Sequence, residues 1–218
     1  MHTFENICDK QGHHSLILSN HPYNIEVAVY VPENVNTNYV ALVAHPHPLQ
    51  EGTMDNKVVV TVARALAAIN MPVIRFNFRG VGQSTGTFDK GLAETADLIK
   101  LIKLWQTAYP QSEVYLAGFS FGSYVAFRAA QQIIPKFLLL IAPPVQRFAY
   151  HNLPTNCHPT VIFQGIDDDV VAVNEVVKFA HEFQPHIPVE RFEATGHFFH
   201  GKLIALKEAT QRWVKPCL

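Results

Sequence analysis

Strand-like and helical stretches alternate along this chain from Tyr39 onward, which predicts an α/β architecture: an eight-stranded, mostly parallel sheet with helices on both faces. Residues 39–44 are apolar without interruption, the pattern of a strand covered on both sides. Most of the later strands are separated by stretches of helical periodicity ten or more residues long, as parallel crossovers require. No linker, internal repeat or low-complexity segment interrupts the series, so a single domain spanning residues 1–218 is expected.

The elements follow in order. Residues 15–19 and 24–31 alternate or are β-branched and flank the turn-forming Asn20-His21-Pro22, so they read as an antiparallel hairpin. Residues 56–69 carry Val59, Val62, Ala63 and Leu66 at helical spacing; 73–78 reads as strand. A helix is expected over 92–105, with Leu92, Ala96, Ile99, Ile102 and Lys103 on its inner side. Strand 114–119, helix 121–133, strands 137–142 and 160–164, helix 174–183, strand 189–193 and helix 202–214 complete the series. Between Ala142 and Thr160 lie only seventeen residues, Pro143 to Pro159, with four prolines and no helical periodicity, so no lid domain is expected there.

Composition narrows the function. Hydrophobic residues make up 48% of the chain and charged ones 16%, which excludes a disordered tail protein. Seventeen basic and eighteen acidic residues leave a net charge of −1 with no basic run, so a nucleic-acid partner is not expected. No apolar stretch has the length of a membrane span, and the N-terminus lacks the apolar core of a signal peptide. Cys8, Cys157 and Cys217 are odd in number and widely spaced, which suits a reducing compartment; a cytoplasmic location is expected.

Gly118-Phe119-Ser120-Phe121-Gly122 fits G-x-S-x-G between a strand and a helix, where a nucleophile elbow needs it. At ordinary Gly and Ser usage a chain of this length holds such a pentapeptide about 0.07 times by chance. A strand turning sharply into a helix crowds the positions two before and two after the turn against backbone, and glycine fits there. A serine hydroxyl needs a base to activate it, and the base needs an acid to orient it. Both residue types lie downstream, in the carboxylate-rich loop Asp167-Asp168-Asp169 and in Gly196-His197-Phe198-Phe199-His200. Each of these segments follows a strand, and ligands of open parallel sheets bind outside the carboxyl ends of strands. An oxyanion hole would take one N–H from Phe121. In the loop after strand 39–44 Pro46 and Pro48 have none, so His47 is the earliest donor.

With these residues the chain resembles the α/β-hydrolases, and more closely the small lidless hydrolases related to dienelactone hydrolases and acyl-peptidase domains. The resemblance covers nearly the whole chain. It rests on His45-Pro46-His47-Pro48, on Met54 to Val59, on Arg75 to Ser84, on the elbow and on Gly196-His197. It implies Asp168 as the acid, three residues after the Gly closing the seventh strand, with Asp167 and Asp169 as flanking alternatives. It implies His197, the His after a Gly, as the base, with His200 as the alternative, and it places His47 at the usual second oxyanion position. Ser120 departs from the Cys nucleophile of dienelactone hydrolases and the Asp nucleophile of haloalkane dehalogenases.

Gly80-Val81-Gly82-Gln83-Ser84-Thr85-Gly86 lacks the spacing of a dinucleotide fingerprint and reads as a structural loop near the site. His45, His47 and the acidic triplet match no metal-ligand spacing. The expectation is therefore a cofactor-free and metal-free serine hydrolase of small ester-like substrates. The rivals are a thioesterase or peptidase with the same residues, and a non-catalytic binding protein on the same scaffold.

Overall fold

The computed structural model describes residues 3–20, 23–150, 158–183 and 185–218. Eight strands form one sheet: β1 (Gly12–Asn20), β2 (Tyr23–Val31), β3 (Tyr39–Ala44), β4 (Val73–Phe76), β5 (Glu113–Phe119), β6 (Phe137–Ile141), β7 (Thr160–Gly165) and β8 (Val189–Phe192). Their spatial order is β1-β2-β4-β3-β5-β6-β7-β8; the β1–β2 and β2–β4 pairs are antiparallel and every other neighbouring pair is parallel. The hairpin opens at Gly12, earlier than its apolar pattern indicates, because His13 and His14 pair with Tyr30 and Val29. The His13 ring packs 4.5 Å from that of Tyr30. His21 and Pro22 of the expected turn lie outside the described residues.

Two cores sandwich the sheet. Helices α1 (Lys57–Ala67) and α5 (Leu203–Val214) cover one face, where Val59, Val62 and Leu66 meet Leu206, Ala209, Ala41 and Val43. Helices α2 (Leu92–Ala108), α3 (Phe121–Ala130) and α4 (Val173–His181) cover the other, packing on Val40, Leu42 and Ala44 of the same strand. Strand β3 thus buries alternate residues in different cores, which is why it reads as one continuous apolar run. The Asn56 side chain caps α1 by accepting from the Val58 N–H at 2.9 Å.

Helix α2 differs from its expected inner side. Leu92 is 56% exposed, and Ala96 and Lys103 are exposed too; the buried stripe is Leu98, Ile99, Leu101, Ile102 and Trp105. Two carboxylates share that stripe because each is satisfied there. Glu94 accepts from the Asp89 and Gly91 N–H groups at 2.8 Å, and Asp97 holds Arg79 through two bonds of 2.5 and 2.9 Å. An apolar-only template reads such positions as exposed.

After β6 the chain runs through turns at residues 143–150; His151, Pro154 and Cys157 lie outside the described residues. Among the described residues no helix is long and apolar enough to cross a membrane.

Candidate active site

The elbow has the geometry its sequence demands. Ser120 sits at φ 52°, ψ −121° between the end of β5 and the start of α3. A left-handed φ at a non-glycine residue costs about 1–3 kcal/mol and persists only where its surroundings impose it. Here they do: the Ser120 N–H donates to Ile141 O at 2.8 Å, and its carbonyl accepts from the Ser123 hydroxyl at 2.5 Å and the Ser123 N–H at 2.9 Å. The Ser123 hydroxyl also meets the Tyr150 hydroxyl at 2.8 Å in the core. A Cβ on Gly118 would lie 2.2 Å from Gly122 O, and one on Gly122 would lie 2.3 Å from Ala44 O. Both contacts are to backbone, so only glycine permits β3, β5 and α3 to approach this closely.

A hydrogen-bonded chain runs from the nucleophile position into the protein. Ser120 Oγ lies 3.1 Å from His197 Nε2, and His197 Nδ1 lies 2.9 Å from Asp168 Oδ2. Asp168 Oδ1 accepts from the Val170 and Val171 N–H groups at 2.9 and 2.7 Å, and Oδ2 also accepts from Gln164 Nε2 at 3.0 Å. Burial pushes the Asp168 carboxyl up, but the bond to and charge of His197, with the two N–H groups, outweigh it and hold the group below its ordinary value. An ionised Asp168 accepts from Nδ1–H, which leaves the Nε2 lone pair facing the serine hydroxyl. Asp168 and His197 are buried; Asp167, Asp169 and His200 are exposed, so of each set of alternatives one member joins the chain.

The loops bearing these groups are tied together. Gly165 closes β7 where a Cβ would strike Thr195 O at 2.2 Å, and the Asp167 N–H donates to that oxygen at 3.0 Å. The β7 and β8 loops are therefore joined at this contact.

The N–H groups of Phe121 and His47 have no acceptor among the described residues. The His47 loop is held by His45, which is fully buried. The His45 Nε2 accepts from the Phe78 N–H at 2.9 Å, and Nδ1 donates to Pro46 O at 2.7 Å. Burial pushes its pKa down to about 3, so the ring is neutral, and both nitrogens are engaged, leaving none for a metal. Residues 80–86 form a loop in which Gly82, at φ 55°, clears the Glu26 carboxylate that binds Asn77 and the Gln83 N–H.

Three supports escaped the reading of the sequence: Gln164, His45 and the Ser123–Tyr150 pair. A lone amide and a lone imidazole ending otherwise apolar strands were signals for the first two. Tyr150 carries none, being an aromatic among aromatics. A cavity of about 1000 Å³ opens at the amino ends of β6 to β8 between Phe127, Phe183 and Trp213. It lies at the sheet edge opposite Ser120.

Residues 52–143 match the model of the alpha/beta hydrolase fold. A 174-residue stretch is 36% identical to an uncharacterized protein of Rickettsia prowazekii, covering 75% of this chain and 73% of that protein. A lidless α/β serine hydrolase of Xanthomonas campestris superposes with a TM-score of 0.90 at 36% identity, over 96% of each chain. An α/β serine hydrolase homologue of Coxiella burnetii gives 0.89 at 34% identity, over 93% of this chain and 98% of its own. With whole-chain identity at this level and an elbow serine at the carboxyl edge of the sheet, the chain belongs to the α/β-hydrolase superfamily, among its serine hydrolases.

Proposed function

We propose that the protein is an esterase of small substrates that works through an acyl-enzyme. The single observation carrying this reading is the unbroken Asp168–His197–Ser120 hydrogen-bonded chain beneath an exposed rim. Ser120 Oγ attacks the ester carbonyl as His197 Nε2 takes its proton, forming a tetrahedral adduct whose oxyanion receives the Phe121 and His47 N–H groups. The carbon–oxygen bond to the alcohol then breaks, and His197 returns the proton to the departing oxygen. Water enters, gives its proton to the same nitrogen and attacks the acyl-enzyme, and Ser120 leaves reprotonated. Asp168 holds the tautomer and stabilises the imidazolium throughout. A cytoplasmic setting belongs to the same proposal and is supported by the free thiols of Cys8 and Cys217.

The test combines labelling with turnover. A fluorophosphonate probe should modify Ser120 in the folded protein, and Ser120→Ala should abolish labelling and lower ester turnover by several powers of ten. Near-wild-type turnover in pure Ser120→Ala would falsify the reading. Running p-nitrophenyl esters beside thioesters and aminoacyl amides separates an esterase from a thioesterase or peptidase.

A further inference from the structure

Beside the elbow lies a wall of aromatic rings that the chemistry above leaves unused. His47, Phe88 and Phe148 are half-buried around the fully buried Phe121 ring, with centroids 5.1, 5.4 and 5.3 Å from it. His47 and Phe88 are 4.9 Å apart, and Phe148 stacks on Tyr124 at 4.9 Å. These residues come from the connections after β3, β4 and β6 and from the first turn of α3; none comes from the β7 and β8 loops that carry Asp168 and His197. Half-exposed rings from separate loops, packed on a common buried ring, make a contiguous apolar surface, and such a surface beside a reactive group marks a ligand subsite. Burial pushes the His47 pKa down, and its Nδ1 accepts from the Leu49 N–H at 3.2 Å, so the imidazole joins the wall as a neutral ring.

We propose that this wall seats the acyl group and selects esters whose acyl chain ends in a flat aromatic ring over alkanoyl esters. The inference rests on the acyl-transfer reading of Ser120. In that chemistry the leaving oxygen must face His197 Nε2 to be protonated, so the acyl substituent points away from the imidazole. The carbonyl oxygen lies against the N–H groups of His47 and Phe121, and this brings the acyl chain toward the half-exposed rings of His47, Phe88 and Phe148 that cover Phe121. Aromatic rings pack offset or edge-on with centroids about 4.5–7 Å apart, a spacing this wall already repeats among its own members. An alkyl chain finds apolar area there but no ring geometry, and it gives up several free rotors on binding.

The experiment compares p-nitrophenyl 3-phenylpropanoate with p-nitrophenyl hexanoate on the full chain. The two share a leaving group and an unconjugated carbonyl, so intrinsic reactivity is matched. The aryl ester should lead in kcat/KM by about tenfold, carried mainly by KM, as expected of one or two added ring contacts. Phe148→Leu and Phe88→Leu keep apolar area but remove the flat ring, and each should move the ratio toward one. A ratio near one in the wild type, or a tenfold ratio untouched by both substitutions, overturns the proposal. Probe labelling of Ser120 and hydrolysis of p-nitrophenyl acetate are measured on the same samples. If both persist while the ratio is near one, the acyl-group assignment alone fails; if both are absent, the acyl-transfer reading fails with it.

Discussion

At single positions the site separates residues that sequence leaves equivalent. Asp167, Asp168 and Asp169 are chemically identical, and only the turn closing on Gly165 decides that the middle one faces His197 while its neighbours meet water. Asp168→Asn should cost on the order of 10⁴ in kcat by stabilising the wrong tautomer, whereas Asp167→Asn and Asp169→Asn should stay within a few-fold. Gln164 offers a second test, because its Nε2 supports Asp168 while its Oε1 is buried without a partner among the described residues. Gln164→Glu sets a new buried carboxyl against Asp168, and like charge with burial raises its folded pKa above the unfolded value of about 4.3. The folded state then holds an extra proton, so the variant should lose stability as pH rises through that window, which thermal melts at pH 5 and pH 8 read directly. His45 has the opposite linkage: its folded pKa is about 3 against an ordinary 6.5, so the unfolded chain binds the extra proton. Its contribution is fully present above pH 6.5 and is lost as pH falls toward 3. His45→Asn should therefore reduce the slope of unfolding free energy against pH by about 1.4 kcal/mol per unit within that range.

At the scale of elements, periodicity located the eight strands and five α-helices of the described residues, though not the short 3-10 turns, because most of them bury apolar residues at regular intervals, as Val59, Val62 and Leu66 do in α1. It failed on α2, where Glu94 and Asp97 occupy inner positions by virtue of partners in the 79–91 segment that no local window contains. The two assignments of that helix make opposite forecasts. Leu98→Ala should cost about 2–5 kcal/mol in urea unfolding, as a buried leucine does, and Leu92→Ala should stay within about 0.5. The elbow was legible for a different reason, since its glycines report backbone crowding rather than packing. Gly118→Ala drives a methyl into Gly122 O and should prevent stable folding of the β5–α3 unit. Gly201→Ala, at φ 71° with open space around it, should cost only about 1 kcal/mol.

For the whole molecule, the class of sheet and the convergence of three segments on its carboxyl edge could be read from order alone. The exchange of β3 and β4 in the spatial series was not legible, because adjacent parallel strands share one apolar signature. With turns at 143–150 beside the rim and no α-helix between β6 and β7 among the described residues, rates on p-nitrophenyl esters from acetate to palmitate should fall at long chains. They should also show no jump as a substrate passes its solubility limit. A further consequence attaches to β8, a four-residue edge strand that pairs with β7 alone. Ser120 and His197 are separated by 77 positions, and the imidazole hangs from the loop that this last strand delivers. On the proposed mechanism, a chain growing from its N-terminus contains the serine turn long before the imidazole proposed to activate it has been made, so it should carry no reactive hydroxyl while still being synthesised. Heating should run the same sequence backwards, silencing turnover when the edge peels away while circular dichroism still reports an intact central sheet.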